Sequence, residues 1–379
     1  MSKMEVRKLG DIEDLGIIEM GRGNVISKND ILSTPGNYPV YSSSSSNNGE
    51  IGRYGKYMFD DERITWSIDG GGKLFYRNNI KYSVTNVCGW LKVLDEKKII
   101  SKYLYYLLIN QWQKLNFNYS HKAHPSVIRN EYYVPNIEIK VQEEIVKILD
   151  SFTNLIDALN EELSLRQKQF EYYREKLLTF DETVERLSFG NDFSLKARIG
   201  WQGLTKKEYR KSGDYYLITG TDFKDGNKID FSTCVYVDEE RYTQDPNIQI
   251  KPNDVLITKD GTLGKVAFIE KMDKPATLNG GVFVVRSKVG GVIPKYVAYY
   301  LSSSIFKNWI EQNHTNGSIM HLTQKLLVKF EIAIPSTEVQ QSIVEKLDAF
   351  ESLISSLKEE IALRQKQYEY YREKLLTFD

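Results

Sequence analysis

Two long runs of the chain carry apolar residues that recur alternately every four and three positions, which is the heptad spacing of paired helices. The runs cover residues 145–177 and 343–375, and neither contains Gly or Pro. The pattern predicts two long coiled-coil helices. Each seam is interrupted once by an arginine, Arg166 or Arg364. One interpretation is that the arginine stems pack while their heads reach solvent. The other is a register device or a partner contact.

The end of each predicted helix is nearly the same sequence. Residues 165–181 read LRQKQFEYYREKLLTFD and residues 363–379 read LRQKQYEYYREKLLTFD, so 16 of 17 positions match. The single difference is Phe170 against Tyr368, and the offset is 198 residues. We interpret this as a tandem duplication. Near-identity inside an otherwise divergent pair predicts one shared partner surface and two different specificities.

The segments before each helix have a different pattern. Short β-prone runs alternate with Gly, Asn, Asp and Ser, as in residues 38–54, 73–94 and 276–287. A short helix with tyrosines at i and i+3 then follows in each unit, at 102–108 and 295–301. This spacing predicts a core face rather than a platform for stacking bases.

The predicted fold is α+β: two α/β domains separated by two long antiparallel coiled-coil helices, in a pseudo-twofold tandem repeat. The predicted segments are a first domain, a central repeated helix, a second domain and a C-terminal repeated helix, at residues 1–135, 136–181, 182–335 and 336–379. Pro135 lies six residues before Val141, whereas Pro335 lies four before Val339. The approaches to the two helices are therefore expected to differ slightly.

Charge is distributed unevenly although the net charge is zero. Residues 196–228 carry eight Lys or Arg against four Asp or Glu, while residues 138–163 carry seven acids against two bases. A basic excess in the variable units permits phosphate binding without a basic total. The two cysteines are far apart, which argues against a disulfide framework or a zinc site. No run approaches the length of a membrane span, and we expect a cytoplasmic protein.

Polar, glycine-ended loops follow a strand in both units, at 42–49 and 219–226. Ser, Thr and Asn side chains can donate to and accept from base edges, although a flexible surface turn would look the same. KKEYRK at 206–211 suits contacts with phosphates, or is an ordinary solvated charge run.

Both units also carry an Asp-Gly turn closed by Gly-Lys, at 69–73 and 260–265. The spacing is wrong for a phosphate loop, so a hairpin whose lysine contacts a DNA phosphate fits better. The candidate DNA-contacting residues are Ser42, Ser43, Ser44, Ser45, Ser46, Asn47, Asn48, Lys73, Lys206, Lys207, Arg210, Lys211, Thr219, Thr221, Lys224, Lys259 and Lys265.

Motifs for catalysis are not found in the sequence. His121 and His124 are three residues apart but lack a nearby cluster of carboxylates or cysteines, and the other histidines are His314 and His321. No GxSxG, HExxH or strand-linked GxGxxG motif is present, and there is no adenine-methylation tetrapeptide. We predict no catalytic residue, no metal site and no bound cofactor in this chain.

The alternation of variable unit and repeated helix resembles the specificity (S) subunit of type I restriction–modification systems. The resemblance covers the whole chain and rests on the Pro followed by Val-Gln, the heptad runs and the paired LRQKQ(F/Y)EYYREKLLTFD blocks. Looser matches are GKVAFI at 264–269 and IPKYVAYYL at 293–301. The resemblance implies that each variable unit is a target recognition domain that reads one half of a bipartite double-stranded DNA site.

The resemblance also implies partners and their chemistry. The helices would dock two adenine methyltransferase (M) subunits that bind S-adenosylmethionine, and an ATP-driven restriction/translocase (R) subunit, which needs Mg, would join them. Within the repeated blocks, the candidate docking residues are Arg166, Gln167, Lys168, Tyr172, Arg174, Arg364, Gln365, Lys366, Tyr370 and Arg372.

Helix length is compatible with such a spacer, because residues 141–178 would span about 57 Å at about 1.5 Å per residue. That length corresponds to roughly 16 base pairs of DNA. The competing hypotheses are a coiled-coil scaffold whose globular units bind proteins rather than DNA, and a stand-alone nuclease or ATPase. The missing motifs make an enzyme the weaker of these.

Overall fold

The computed structural model describes residues 5–44, 47–200, 203–260, 263–313 and 322–378. The chain forms two compact units, one from Met1–Asn160 with Glu360–Asp379 and one from Glu161–Glu359. The predicted Ser45, Ser46, His314 and His321 lie outside the described residues.

The first unit begins the chain with short strands and helices. Its helices are α1 (Leu9–Asp14), α2 (Lys28–Ser33), α3 (Ser101–Trp112), α4 (Pro125–Glu131) and the start of α5 (Ile139–Leu178). Its strands are β1 (Val6–Lys8), β2 (Ile18–Arg22), β3 (Tyr38–Tyr41), β4 (Glu50–Tyr54), β5 (Arg63–Ser67), β6 (Leu74–Arg77), β7 (Ser83–Val84), β8 (Cys88–Val93) and β9 (Tyr133–Pro135).

The second unit repeats the scheme with additions. Its strands are β10 (Arg186–Ser188), β11 (Phe193–Lys196), β12 (Tyr215–Ile218), β13 (Phe223–Lys224), β14 (Lys228–Ile229), β15 (Val235–Val237), β16 (Gln249–Ile250), β17 (Val255–Thr258), β18 (Val266–Phe268), β19 (Ala276–Leu278), β20 (Val282–Ser287) and β21 (Glu331–Ala333). Its helices are α6 (Glu239–Thr243), α7 (Pro294–Leu301), α8 (Ser304–Asn313), α9 (Gln324–Leu327) and the start of α10 (Thr337–Leu376).

The sheets have matching strand orders in the two units. The first unit has an antiparallel sheet of order β2-β8-β5-β6 and a second sheet β4-β3-β7, in which β3 and β7 are parallel. The second unit has β11-β20-β17-β18 and β15-β12-β19-β16, with β12 and β19 parallel. The second unit adds the β13–β14 hairpin between β12 and β15. The β-prone runs found in the sequence thus form the predicted α+β fold.

The helix pair is antiparallel. Phe152 of α5 stacks on Tyr371 of α10 at 5.3 Å between ring centroids, whereas Tyr173 stacks on Phe350 at 5.5 Å. The contacting residue number therefore decreases along α10 as it increases along α5. Both helices have 40 residues and follow the predicted seam. Arg166 and Arg364 bond a Glu four residues before and a Gln three residues after them on their own helix, which fits the snorkelling interpretation.

The tyrosines of the short helices lie in the core, as the spacing predicted. Tyr103 and Tyr296 are fully buried. Tyr106 Oη donates to Asp150 of α5 at 2.6 Å, and Tyr299 Oη donates to Asp348 of α10 at the same distance. The same aspartates also form ion pairs with a lysine of the short helix: Lys102 lies 2.8 Å from Asp150, and Lys295 lies 2.9 Å from Asp348. The globular part of each unit is thus fixed to its long helix by the same polar contacts.

The Val-Gln that follows the proline has a structural role. Gln142 is 1% exposed, and its side chain accepts from Ile100 N at 2.9 Å and donates to Lys98 O and Ile137 O at 3.0 Å. Because a buried amide must satisfy its polar atoms, this residue holds the start of α3 against the start of α5.

Gln340 repeats these bonds in the second unit, with Ile293 N at 2.9 Å, Gly291 O at 2.9 Å and Pro335 O at 2.8 Å. Pro335 therefore takes the place of Ile137. In both units three residues separate the last strand from the long helix. The expected difference between the two approaches is therefore wrong: the proline changes position, but the connector keeps its length and its bonds.

None of the helices within the described residues is both long and apolar enough to span a membrane.

Candidate DNA interface

Three strand ends meet at one edge of the first unit. The turn between β7 and β8 lies between the ends of β3 and β5, because Thr85 N donates to Tyr41 O at 2.9 Å and Ile68 N donates to Val87 O at 3.1 Å. Cys88 N closes the turn on Thr85 O at 2.9 Å. The polar loop that follows β3 and the Asp-Gly turn that follows β5 are therefore neighbours.

The second unit builds the same junction. Asn279 N donates to Ile218 O at 2.9 Å, Lys259 N donates to Gly281 O at 2.9 Å, and Val282 N donates to Asn279 O at 3.3 Å. We refer to these two sets of strand ends as the first and second strand-end junctions. Only main-chain atoms form the shared bonds. The side chains differ: Thr85 in the first junction corresponds to Asn279 in the second.

The described ends of the two predicted Asp-Gly turns also correspond, while Gly261 and Thr262 lie outside the described residues. The antiparallel pairs β5–β6 and β17–β18 are each preceded at the second strand by a glycine with φ +74°, Gly72 and Gly264. This left-handed conformation favours glycine. A Cβ would also lie 2.6 Å from Phe117 Cδ2 at Gly72 and 2.8 Å from Ile310 Cδ1 at Gly264.

The structure places the described serines of the first loop at this edge. Ser43 Oγ donates to Val87 O and accepts from Asp69 N at 3.3 Å, and Ser42 Oγ accepts from Thr85 Oγ1 at 2.8 Å. These hydroxyls tie the loop to the junction. Ser44 is half-buried, whereas Asn47 and Asn48 are exposed, so the two asparagine side chains are the ones that point outward. Both asparagines also have positive φ.

The basic segment of the second unit lies beside its junction. Tyr209 Oη accepts from Asn279 Nδ2 at 2.6 Å, and Tyr209 stands between the exposed lysines at 206–207 and the exposed Arg210 and Lys211. Thr205 N and Oγ1 donate to Glu208, and Arg241 pairs with Glu208, so the pKa of this carboxyl falls to about 2. The segment is thus held at the edge while its cations face solvent.

The remaining candidate lysines and threonines differ in exposure. Thr219 caps a turn and is half-buried, whereas Thr221 and Lys224 are exposed. Lys259 is half-buried over the Phe283 ring and Lys265 is exposed at the end of its turn. Lys73, its counterpart in the first unit, is half-buried over Phe75. Arg210 also pairs with Asp238 at 2.8 Å.

Two arginines beneath these loops were not identified from the sequence. Arg77 is 2% exposed, donates to Asn48 O at 2.6 Å and lies 3.5 Å from the Tyr41 ring centroid. Arg198 is 3% exposed and donates to Leu278 O at 2.9 Å, just before Asn279. Burial lowers the pKa of both groups. Sequence offers no signal for them, because a buried arginine is recognised only by its partners.

Two further polar residues of the first junction were also missed, Thr85 and the exposed Asn86. The sequence does carry a signal for these two residues, because they lie between two short β-prone runs in the same position as Asn279 and Gly280.

Comparison with known proteins gives the family. The model of the type I restriction modification DNA specificity domain matches residues 1–165 and 202–363. The chain belongs to the type I restriction–modification DNA specificity family.

Relatives and solved structures agree with this family. The specificity subunit of the type I restriction enzyme EcoR124I/EcoR124II of Escherichia coli is 33% identical over 308 residues, 75% of this chain and 72% of the relative. A putative type I specificity subunit of Mycoplasma pneumoniae is 29% identical over 97% of this chain and 96% of its own length. The S subunit of a type I system from M. genitalium has the same fold, with a TM-score of 0.62, 16% identity and coverage of 100% and 97%.

Membership of the specificity family supports a non-catalytic role and does not favour the protein-binding scaffold. The histidine pair has local partners: His121 Nε2 lies 3.0 Å from Glu131 and His124 Nδ1 lies 3.1 Å from Ser126 Oγ. Within the described ranges, no group of three His, Cys, Asp or Glu side chains is arranged to hold a metal ion. Cys88 and Cys234 are buried thiols.

In this specificity family member, the repeated blocks expose an apolar pair on each long helix. Leu165 and Tyr172 are 57% and 60% exposed, and Leu363 and Tyr370 are 56% and 59% exposed. The predicted Arg166, Gln167, Lys168, Arg364, Gln365 and Lys366 are half-buried or exposed on the same blocks. The two leucines were missed as docking residues.

The last arginines of the repeated blocks are not equivalent. Arg174 is 20% exposed and pairs with Glu175 at 3.0 Å. Arg372 is 5% exposed, donates to Gln113 at 2.5 Å and lies over the Tyr368 ring. Its guanidinium is covered by its own unit, so we withdraw Arg372 from the docking residues.

Proposed function

We propose that this chain is the DNA-recognition subunit of a type I restriction–modification complex in which each strand-end junction reads one half of a bipartite, asymmetric DNA site. The observation that carries the proposal is the pair of junctions, which share their main-chain bonds and differ in their side chains. The backbone is fixed in the same way in both junctions, but the side chains that it carries present different donors and acceptors to base edges. Base pairs are distinguished by such donors and acceptors.

The reading residues are best assigned to exposed polar groups. In the first unit these are Asn47, Asn48 and Asn86, and in the second the exposed Thr221 lies with the half-buried Lys259 and Asn279. The exposed Lys206, Lys207 and Lys211 would bind phosphates, which position a protein on DNA without reading its sequence. Half-buried Ser42 and Ser43 support the first loop rather than read bases.

The helices would bind the partners. We infer that the exposed Leu165–Tyr172 and Leu363–Tyr370 pairs dock two methyltransferase subunits, because nearly identical surfaces bind identical partners. Methylation with S-adenosylmethionine, and ATP- and Mg-dependent translocation and cleavage by a restriction subunit, would belong to those partners. Apolar side chains rimmed by polar ones are typical of protein interfaces.

The test is methylome sequencing of the host with the intact gene, without it, and with Asn86→Ala or Thr221→Ala. Loss of one two-part methylated-adenine motif on deletion is the expected result. Asn86→Ala should relax one half of that motif and Thr221→Ala the other, by about tenfold, since a lost base contact costs ~1–3 kcal/mol. Gln341→Ala, at an exposed position of α10, is the control.

Two outcomes would contradict the proposal. If both variants changed the same half of the motif, the junctions would not be separate readers. If deletion of the gene left the methylome unchanged while the chain still bound a methyltransferase, DNA recognition itself would be in doubt.

A further inference from the structure

The second unit lacks one aromatic ring that fills the first. Tyr105 of α3 packs between Tyr76 and Tyr106, with ring centroids at 5.4 and 5.5 Å. α7 carries Ala298 at the position of Tyr105, and Phe268 of β18 corresponds to Tyr76. The surrounding contacts are preserved, because Lys102 lies 5.6 Å from the Tyr76 ring centroid and Lys295 lies 5.7 Å from that of Phe268.

The missing ring leaves a pocket of about 180 Å³. About half of its wall is apolar or aromatic, with Ile229, Phe231, Phe268, Ala298 and Tyr299 among the lining residues. The rest is polar or charged and includes Asn227, Lys228, Glu270, Lys271, Lys295 and Glu351. A dry cavity of about 150 Å³ is enough to bind benzene. The pocket can therefore take a planar ring in place of the tyrosine.

A cationic cleft of about 610 Å³ adjoins this pocket and shares Asn227, Lys228 and Glu351 with it. Five basic side chains line the cleft against three acidic ones; the basic set is Arg174, Lys224, Lys228, Lys265 and Lys358. Lys228, Lys265 and Lys358 are exposed and have no ion-pair partner among the residues that the structure describes. The excess of basic over acidic side chains favours an anion at this place.

The cleft wall is formed by the β13–β14 hairpin, which has no counterpart among the described residues of the first unit. Asn227 at the hairpin tip accepts from Ser302 Oγ at 2.8 Å through its side chain and from Phe268 N at 2.8 Å through its main chain. These bonds fix the hairpin against α7 and β18 before any ligand arrives. A preformed site of this kind binds with a smaller ordering cost.

The described residues of the first unit differ at the positions that form this site. On the long helix, Asn160 stands where the second unit has Lys358, and Thr153 stands where it has Glu351. Tyr368 of the repeated block, the counterpart of Phe170, is 8% exposed and packs into the core beside the buried Arg372. The same scaffold is closed in one unit and open in the other.

We propose that the second unit binds a nucleotide-class ligand, with its planar ring in the pocket at Ala298 and its phosphate on Lys228, Lys265 and Lys358. Aromatic walls beside basic side chains are the combination that binds a base and its phosphate. The ligand is either a free nucleotide or an unpaired nucleotide of a DNA strand. This binding is separate from the reading of half-sites.

The experiment is calorimetric titration of the full-length chain with AMP, adenosine, inorganic phosphate and a short single-stranded oligonucleotide. AMP should bind more tightly than adenosine or phosphate alone. Ala298→Tyr, which restores the ring of the first unit, should weaken AMP binding by at least about tenfold, or ~1.4 kcal/mol. Lys228→Gln and Lys358→Gln should each weaken it severalfold. Tighter binding of the oligonucleotide than of AMP would identify the strand as the source.

Controls separate this proposal from the proposed function. Ala362→Tyr and Lys346→Gln, at exposed positions of α10, should leave AMP binding unchanged. Binding of target duplex DNA by the Ala298→Tyr variant, together with a normal circular dichroism spectrum, shows that the variant is folded and still reads DNA. Equal AMP affinity in wild type and Ala298→Tyr would overturn the nucleotide site. The nucleotide site would also be overturned if no nucleotide bound and an acidic, tyrosine-containing peptide bound in an Ala298-dependent way.

Discussion

In the first unit the ring of Tyr105 fills the space between α3 and β6, whereas in the second unit Ala298 leaves the corresponding space open. The contacts that attach each unit to its long helix do not differ in this way: Gln142 and Gln340 make the same three bonds. The comparison teaches that the two copies have kept the contacts that fix the scaffold and have diverged where the surface can meet a ligand.

The largest effect is expected from the buried glutamines. Gln142→Leu and Gln340→Leu each remove three hydrogen bonds between a buried amide and the backbone, so each should lower the free energy of unfolding by roughly 2–4 kcal/mol. Urea denaturation of the full chain, followed by circular dichroism, measures both. Gln341→Leu, an exposed neighbour, is the control. Markedly unequal losses would show that the two attachments are not equivalent.

The next largest effect distinguishes the two adjacent tyrosines of each repeated block. Tyr173→Ala and Tyr371→Ala remove rings that stack on Phe350 and Phe152 and should cost about 1–3 kcal/mol of unfolding free energy. Tyr172→Ala and Tyr370→Ala should stay within about 0.5 kcal/mol.

Copurification with the methyltransferase completes this test. The Tyr172 and Tyr370 variants should lose the methyltransferase while they still bind DNA. If they kept it at wild-type levels, the exposed faces of the repeated blocks would not be the docking surface.

A smaller difference is expected between the arginines that the repeat places at equivalent positions. Arg372→Met removes a buried bond to Gln113 and should cost about 1–2 kcal/mol. Arg174→Met removes a more exposed pair with Glu175 and should cost less than about 1 kcal/mol. Thermal unfolding of the two variants side by side measures the difference. Equal losses would mean that the two ends of the helix pair are packed alike after all.

The smallest effect concerns pH. Burial raises the pKa of Glu351 above its usual 4.5, and the counterpart in the first unit is Thr153, which does not titrate. A carboxyl with a raised folded-state pKa binds its proton more tightly when folded, so its contribution to stability falls as pH rises from 4.5 through that pKa.

Glu351→Gln should therefore stabilise the chain slightly at neutral pH, and the gain should disappear below pH 4.5, the usual pKa of this side chain. Thr153→Val is the matched control and should show no such pH dependence. Denaturation at a series of pH values provides the measurement. A gain that persisted in acid would show that packing, not protonation, is responsible.

Local patterns predicted the parts of the fold that depend on local spacing. The seams gave both long helices, the tyrosine spacing gave the core faces of α3 and α7, and the described ends of the paired Asp-Gly turns correspond in the two sheets. The parallel pairs β3–β7 and β12–β19 could not be predicted, because pairing between distant strands leaves no periodic signal in either one. The residues proposed to read bases were predicted only as members of loops, since Ser43 and Asn48 look alike in sequence and only the junction shows that Ser43 is tied inward.

The strand-end junctions have one more consequence, for how such a protein can change over generations. Their shared bonds come from peptide groups, which every amino acid except proline supplies in full. Most substitutions at the exposed Asn86 or the half-buried Asn279 therefore leave these bonds intact while they alter the chemistry presented outward. Mutational tolerance is thus concentrated at the positions where a new preference would arise, and a lineage can explore new target sequences without first losing its fold.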